Sequence, residues 1–204
     1  KAAADNFDDV GFIDAVIDDI SAAFPVDPQR IYLTGFSNGG MLVHLYAAQR
    51  SVRIAAAAAV GAAVGGRASA DLPIITPPAP AVAVPRLIMH GRDDGKVPYG
   101  GGRPGTGNSK RQYLSVNAAV AFWVQQNGCN RVSHKTLQEG AIAVEQWQGG
   151  DAKAEVRLYA INGWGHQWPG PYFSNRLPGG DPLRGFDATR QIWEFFQLHT
   201  RTAC

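Results

Sequence analysis

Apolar side chains recur at three- and four-residue steps through Val10, Ile13, Val16, Ile17 and Ile20, which predicts an amphipathic helix over Asp8 to Phe24, closed by Pro25. Asp14, Asp18 and Asp19 fall on its other faces and read as solvated surface, not as metal ligands. Arg30 to Thr34 is a β-branched and aromatic run between Asp27-Pro28 and Gly35, the pattern of a short strand, and Asn38 to Gln49 returns to helix. In Ile54 to Val60 (IAAAAAV) the helix preference of alanine competes with a short bounded apolar run. The order of neighbouring elements selects a strand buried on both faces.

From Gly61 to Pro85 the chain turns to Gly, Ala and Pro, and Pro73, Pro77, Pro78 and Pro80 deny any long helix, so a surface loop or lid is expected. Val84 with Arg86 to Met89 makes a further buried strand running into His90-Gly91. Ser115 to Asn127 is a helix stopped by Gly128. Ala141 to Trp147 and Ala154 to Ile161 alternate as strands around Gly149-Gly150, and Asp187 to Leu198 closes the chain as a helix with Ile192, Trp193, Phe195 and Phe196 toward the core. There is no internal repeat. Strands alternating with helices give an α/β fold, a mostly parallel sheet sandwiched by helices.

Composition narrows the partners. At 204 residues the chain is one domain's worth of sequence, and 45% apolar with 18% charged residues is the balance of a folded domain. A net charge of +2, from 19 basic and 17 acidic side chains, leaves no basic stripe for nucleic acid. The longest small-apolar run, Ile54 to Gly66, is about 13 residues against the roughly 20 of a membrane span. Cys129 and Cys204 are too few for a disulfide scaffold or a four-thiolate zinc site, and whether they pair is open. No metal or other cofactor is expected. The Gly-rich stretch Gly95 to Gly107 lacks the lysine and hydroxyl residue of a phosphate cradle.

Chemistry concentrates at Gly35-Phe36-Ser37-Asn38-Gly39. The string G-x-S-x-G is common by chance, but here it lies between a strand and a helix, the context of a nucleophile elbow. Such a turn exposes Ser37 Oγ at the sheet edge and turns the N–H of Asn38 toward a developing oxyanion. A serine needs a base oriented by an acid. His166 lies in the glycine-rich loop Gly163-Trp164-Gly165-His166-Gln167-Trp168 directly after a strand, and Asp93 and Asp94 follow the strand that ends at His90-Gly91. Spacing does not choose between the two aspartates. The order Ser, Asp, His is that of α/β-hydrolases. His44, His90, His134 and His199 read as structural.

The segments DDVGFIDAVID (Asp8 to Asp18), VDPQRIYLTGFSNGGM (Val26 to Met41), HGRDDGKVPYGG (His90 to Gly101) and EVRLYAINGWGHQWPG (Glu155 to Gly170) resemble the polyhydroxybutyrate depolymerase and feruloyl esterase group of secreted α/β-hydrolases. The resemblance implies that Ser37 is the nucleophile, Asp94 the acid and His166 the base of a cofactor-free serine esterase. Its substrates would be hydroxyalkanoate polyesters, feruloylated or acetylated polysaccharide, or short acyl esters. It also implies that Trp168 walls the acyl pocket, and Trp164 and Tyr99 are candidates for an aromatic platform. The group commonly carries a cysteine near Gly149 and Gly150, so the usual partner of Cys129 is absent; Cys204 is the alternative. In this fold about four strands and a loop giving a second oxyanion N–H precede the first helix. The expectation is therefore a single catalytic domain over residues 1–204, incomplete at its N-terminus, with an upstream segment or second chain completing the sheet, and with a secreted location. A catalytically silent binding module, and a peptidase or thioesterase on the same three residues, are the alternatives.

Overall fold

The computed structural model describes residues 7–105, 107–130, 135–149, 154–181 and 183–201. Along the chain run α1 (Asp9–Ala23), β1 (Tyr32–Phe36), α2 (Asn38–Gln49), β2 (Ala56–Val60), β3 (Gly66–Arg67), β4 (Arg86–Gly91), β5 (Gln112–Tyr113), α3 (Val116–Gln126), β6 (Lys135–Glu139), β7 (Ile142–Trp147), β8 (Val156–Ile161), α4 (Pro171–Ser174) and α5 (Ala188–Gln197). The main sheet has the order β1-β2-β4-β8-β7-β6. Its first four strands are parallel, so the loops leaving β1, β4 and β8 all emerge at one edge. β7 and β6 extend it antiparallel. One face packs against α1, α2 and α3 through Val10, Val43, Tyr46, Val120 and Trp123, and the other against α5 through Ile192, Phe195 and Phe196.

The alanine run is a strand because both faces of β2 are covered. Ala57 and Ala59 join one core, and Ala56, Ala58 and Val60 the other. Helix preference of a few tenths of a kcal/mol per residue yields to that burial. Helix ends follow local chemistry: Asp8, Ser115 and Asp187 side chains accept N–H groups of the first turns of α1, α3 and α5. Gly128 ends α3 at φ 62°. In the interior, His44 Nδ1 accepts from Arg86 (2.9 Å) and from the Trp123 indole (2.8 Å), with the guanidinium lying over the indole ring. Burial, then the Arg86 charge, push the His44 imidazole well below its usual pKa.

Several expectations need correction. Asp14 is not solvated: its carboxylate accepts from Tyr46 Oη (2.8 Å) and Arg50 Nε (2.5 Å), while Asp18 pairs with Arg53, because α1 lies along α2 and meets the arginines at its end. Trp193 is exposed, one residue round from the face that Ile192, Phe195 and Phe196 bury. The segment from Gly61 is not a free lid. Gly61 to Val64 are buried, and Gly66–Arg67 pairs with Gln112–Tyr113 in a separate two-stranded sheet; only the proline-rich remainder is largely exposed. β6 has no counterpart in the sequence reading, and the first strand begins two residues later and reaches Phe36. His134, Gly150 and Cys204 lie outside the described residues. Cys129 is buried with Sγ 3.4 Å from the Ala154 carbonyl. β1 has a neighbouring strand on one side only among the described residues, and Phe12, Val16 and Ile20 form an exposed stripe on α1.

At the other end Glu155 ties the C-terminal segment to the sheet, through Gln146, Gln148 (3.2 Å), Arg157 (2.8 Å) and His199 (3.3 Å). Burial opposes its ionisation, but the contacts with His199, Arg157 and the two glutamines hold its pKa down to about 2. Two outcomes follow from these contacts. Asp14→Ala, which strips charge-assisted bonds from a half-buried site, should cost about 1–3 kcal/mol in urea unfolding, whereas exposed Asp19→Ala should stay within about 0.5 kcal/mol; equal effects would show that α1 is not docked through Asp14. Because the folded pKa of Glu155 lies below its ordinary 4.5, its contribution is present above that value and is lost as pH falls toward 2. The urea midpoint should therefore drop across that window, and less steeply in Glu155→Gln; an identical slope in both proteins would contradict the assignment.

Candidate active site

Ser37 sits between β1 and α2 with φ 55° and ψ −120°, the one non-glycine residue with positive φ among those described. Such a backbone costs of order 1–3 kcal/mol and persists only where its surroundings dictate it. Here the Ser37 N–H donates to the Val60 carbonyl (2.9 Å) and its own carbonyl accepts from Met41 (3.0 Å), which pins the turn to β2 and α2. The tight packing falls on Gly35 and Gly40, not on both glycines of the string. A Cβ at Gly35 would lie 2.5 Å from the Gly39 carbonyl carbon, and one at Gly40 2.6 Å from Ala62 Cβ, while one at Gly39 meets nothing. As the first residue of α2, Asn38 carries an N–H with no intrahelical acceptor, at the positive end of the helix.

Geometry separates the two aspartates that spacing left open. Asp93 is exposed, whereas the Asp94 side chain is 1% exposed and sits beneath the loop after β8. Oδ1 of Asp94 accepts from the Lys96 N–H (2.9 Å) and the Val97 N–H (2.8 Å), and Oδ2 lies 2.7 Å from His166 Nδ1 and 3.3 Å from His90 Nε2. Burial opposes its charge, but His90, the Val97 N–H, His166 and the Lys96 N–H hold its pKa at about 2. An ionised Asp94 requires the proton of His166 on Nδ1, so Nε2 offers its lone pair to Ser37 Oγ, 2.9 Å away. The loop reaches this position because Gly91 has no side chain: a Cβ there would strike the Trp164 carbonyl. One hydrogen-bonded chain thus runs Ser37, His166, Asp94. It can move the serine proton to the imidazole and steady the cation that results.

The remaining candidates separate. Trp168, two residues after His166, is half-buried and edge-on to Phe36 at 6.5 Å, with its indole N–H on Thr189 Oγ1 (3.1 Å). Trp164 is 3% exposed and belongs to the core, and its N–H donates to the Gln167 carbonyl (3.0 Å), so it has no face for a ligand. The Tyr99 ring is covered by Arg92 and meets His90 edge-on, which makes it packing rather than platform. Sequence reasoning missed Phe36, whose ring lies 4.8 Å from the His166 imidazole. It also missed the Lys96 and Val97 N–H groups, although Asp94-Gly95 is a turn signal that places an aspartate under the following amides. Among the described residues no group of three or more His, Cys, Asp or Glu side chains is arranged to hold a metal ion, and no helix is long and apolar enough to cross a membrane.

No protein-family model matches the chain. Among curated proteins it is 28% identical over 184 residues to the putative esterase NocK of Nocardia uniformis subsp. tsuyamanensis, covering 82% of this chain and 51% of that protein. It is 32% identical over 193 residues to feruloyl esterase B of Piromyces equi (91% of this chain, 32% of that protein). To the probable feruloyl esterase C of Aspergillus clavatus it is 31% identical over 190 residues (93% and 57%). The chain therefore spans about a third to three fifths of the length of these relatives. Among solved structures, the acetyl xylan esterase from Aspergillus awamori superposes with a TM-score of 0.57 at 15% identity, over 92% of this chain and 66% of that one. The chain thus has a fold of the α/β-hydrolase type and a sequence similar to curated proteins named as esterases.

Proposed function

We propose that the chain is a serine carboxylester hydrolase working through an acyl-enzyme. The observation that carries this reading is the unbroken contact from Ser37 Oγ to His166 Nε2 (2.9 Å) and from His166 Nδ1 to the buried Asp94 carboxylate (2.7 Å). Ser37 Oγ attacks the ester carbonyl as its proton passes to His166 Nε2, and the Asn38 N–H stabilises the oxyanion. The C–O bond to the alcohol then breaks, and His166 returns the proton to the departing alkoxide. Water repeats the sequence on the acyl-serine: its oxygen bonds to the acyl carbon as its proton goes to His166, the acyl–Oγ bond breaks, and His166 passes that proton to Ser37 Oγ, releasing the carboxylic acid and restoring the free serine. Asp94 fixes the imidazole tautomer and offsets its charge throughout.

Likeness to feruloyl esterases favours ester groups carried on plant polysaccharide, ahead of hydroxyalkanoate polyesters, with short acyl esters as general substrates. The aromatic surface of Phe36 beside the base, with Trp168 edge-on to it, supports an acyl pocket able to accept a flat ring. Polymers of that size act outside the cell, so an extracellular location belongs to the same proposal. A peptidase or thioesterase is separated from it by the leaving group alone.

Two experiments test the mechanism. Ser37→Ala should abolish p-nitrophenyl acetate hydrolysis with an unchanged urea midpoint, and a fluorophosphonate should add its mass at Ser37 in the parent chain only; an unlabelled Ser37 in active protein would remove the acyl-enzyme. Asp94→Asn should lower kcat about 10⁴-fold by favouring the wrong imidazole tautomer, and a loss smaller than tenfold would exclude Asp94 as the orienting acid.

A further inference from the structure

The acid of the hydrogen-bonded chain is touched by a second imidazole. His90, the penultimate residue of β4, is 1% exposed, with Nε2 2.8 Å from the Val97 carbonyl oxygen and 3.3 Å from Asp94 Oδ2. A carbonyl oxygen only accepts, so Nε2 carries a proton, directed between that carbonyl and the carboxylate. Val97 is thereby held at both ends: its N–H donates to Asp94 Oδ1 (2.8 Å) and its carbonyl accepts from His90. The ring itself is fixed by Tyr99, edge-on at 5.9 Å, whose outer face Arg92 covers at 4.7 Å. Nδ1 of His90 has no hydrogen-bond partner among the described residues. An apolar side chain would fill the same volume without that unmet nitrogen, so what the imidazole supplies is the Nε2–H.

We propose that His90 is a positioning residue for the Asp94 carboxylate. Resting on the serine-hydrolase reading above, this inference assigns a role to a residue outside the nucleophile, base and acid. His90 locks the turn from Asp94 to Val97 and sets Oδ2 where the Nδ1–H of His166 meets it. Without the donor, the turn is free to move, Oδ2 drifts from the imidazole, and His166 loses its orientation toward Ser37 Oγ. His90 lies on the buried side of the carboxylate and does not reach substrate, so the effect falls on kcat and not on KM.

The test uses the whole chain with His90→Phe, His90→Gln and His90→Asn. Each is measured for kcat and KM with p-nitrophenyl acetate, for the urea midpoint, and by NMR for the far-downfield proton between His166 and Asp94. In His90→Phe, kcat should fall about 10²-fold, the scale of an ångström-level misplacement, with KM within about twofold and the downfield proton lost. The Gln amide nitrogen reaches the depth of Nε2 and should restore kcat to within about fivefold together with the proton; the shorter Asn should restore neither. A folded His90→Phe with parental kcat and an unshifted proton would overturn the inference. If His90→Phe does not fold, equal kcat and equal proton signals in the Gln and Asn variants overturn it. Should Ser37 of the parent chain resist fluorophosphonate, the serine reading fails instead, and the dependence of the downfield proton on His90 still decides the positioning role.

Discussion

A carboxylate removed from water stays ionised only where donors surround it, and Asp94 has them from several directions. Its own turn supplies the Lys96 and Val97 N–H groups, β4 supplies His90, and the loop after β8 supplies His166. The charge thus does two things at once. It binds two loops that are 72 positions apart in sequence, and it leaves the far nitrogen of His166 free to accept from Ser37. Backbone bonds from the Arg92 N–H to the Ile161 carbonyl (2.8 Å) and from the Asp93 N–H to the Trp164 carbonyl (3.1 Å) join the same loops, so the charge orients the imidazole within a meeting the sheet already makes.

The parallel sheet makes this meeting cheap. β1, β4 and β8 run in the same direction within the order β1-β2-β4-β8, so the residue after each strand starts at the same edge without long excursions. Small side chains then close the remaining gaps: β2 is nearly all alanine, Gly35 lets α2 sit against β1, and Gly91 lets the backbone at Trp164 lie on β4. Strain is concentrated at Ser37, whose left-handed backbone is held by the Val60 carbonyl.

Much of this was legible in the chain. The strand, turn and helix around Ser37 could be read because glycine spacing and hydrophobic period are local signals, and the same holds for α3, with its Ser115 cap and Gly128 stop. What escaped depends on distant partners. Asp14 looked solvated because nothing near it in sequence reveals that Arg50 and Tyr46 will face it. Trp164 and Tyr99 looked available because an aromatic beside a catalytic loop carries no mark of which face is covered. Phe36 was overlooked and His90 was read as structural for the same reason: their contacts with His166 and Asp94 exist only after folding. Asp93 and Asp94 were indistinguishable by spacing, and burial beneath the loop after β8 separates them.

The central claim is that Ser37 and His166 act as one unit, and a double-mutant cycle in kcat/KM tests it most directly. Ser37→Ala, His166→Ala and the double variant are compared with the parent on p-nitrophenyl acetate. Coupled residues predict a double variant no slower than the slower single one; losses that multiply would contradict the account.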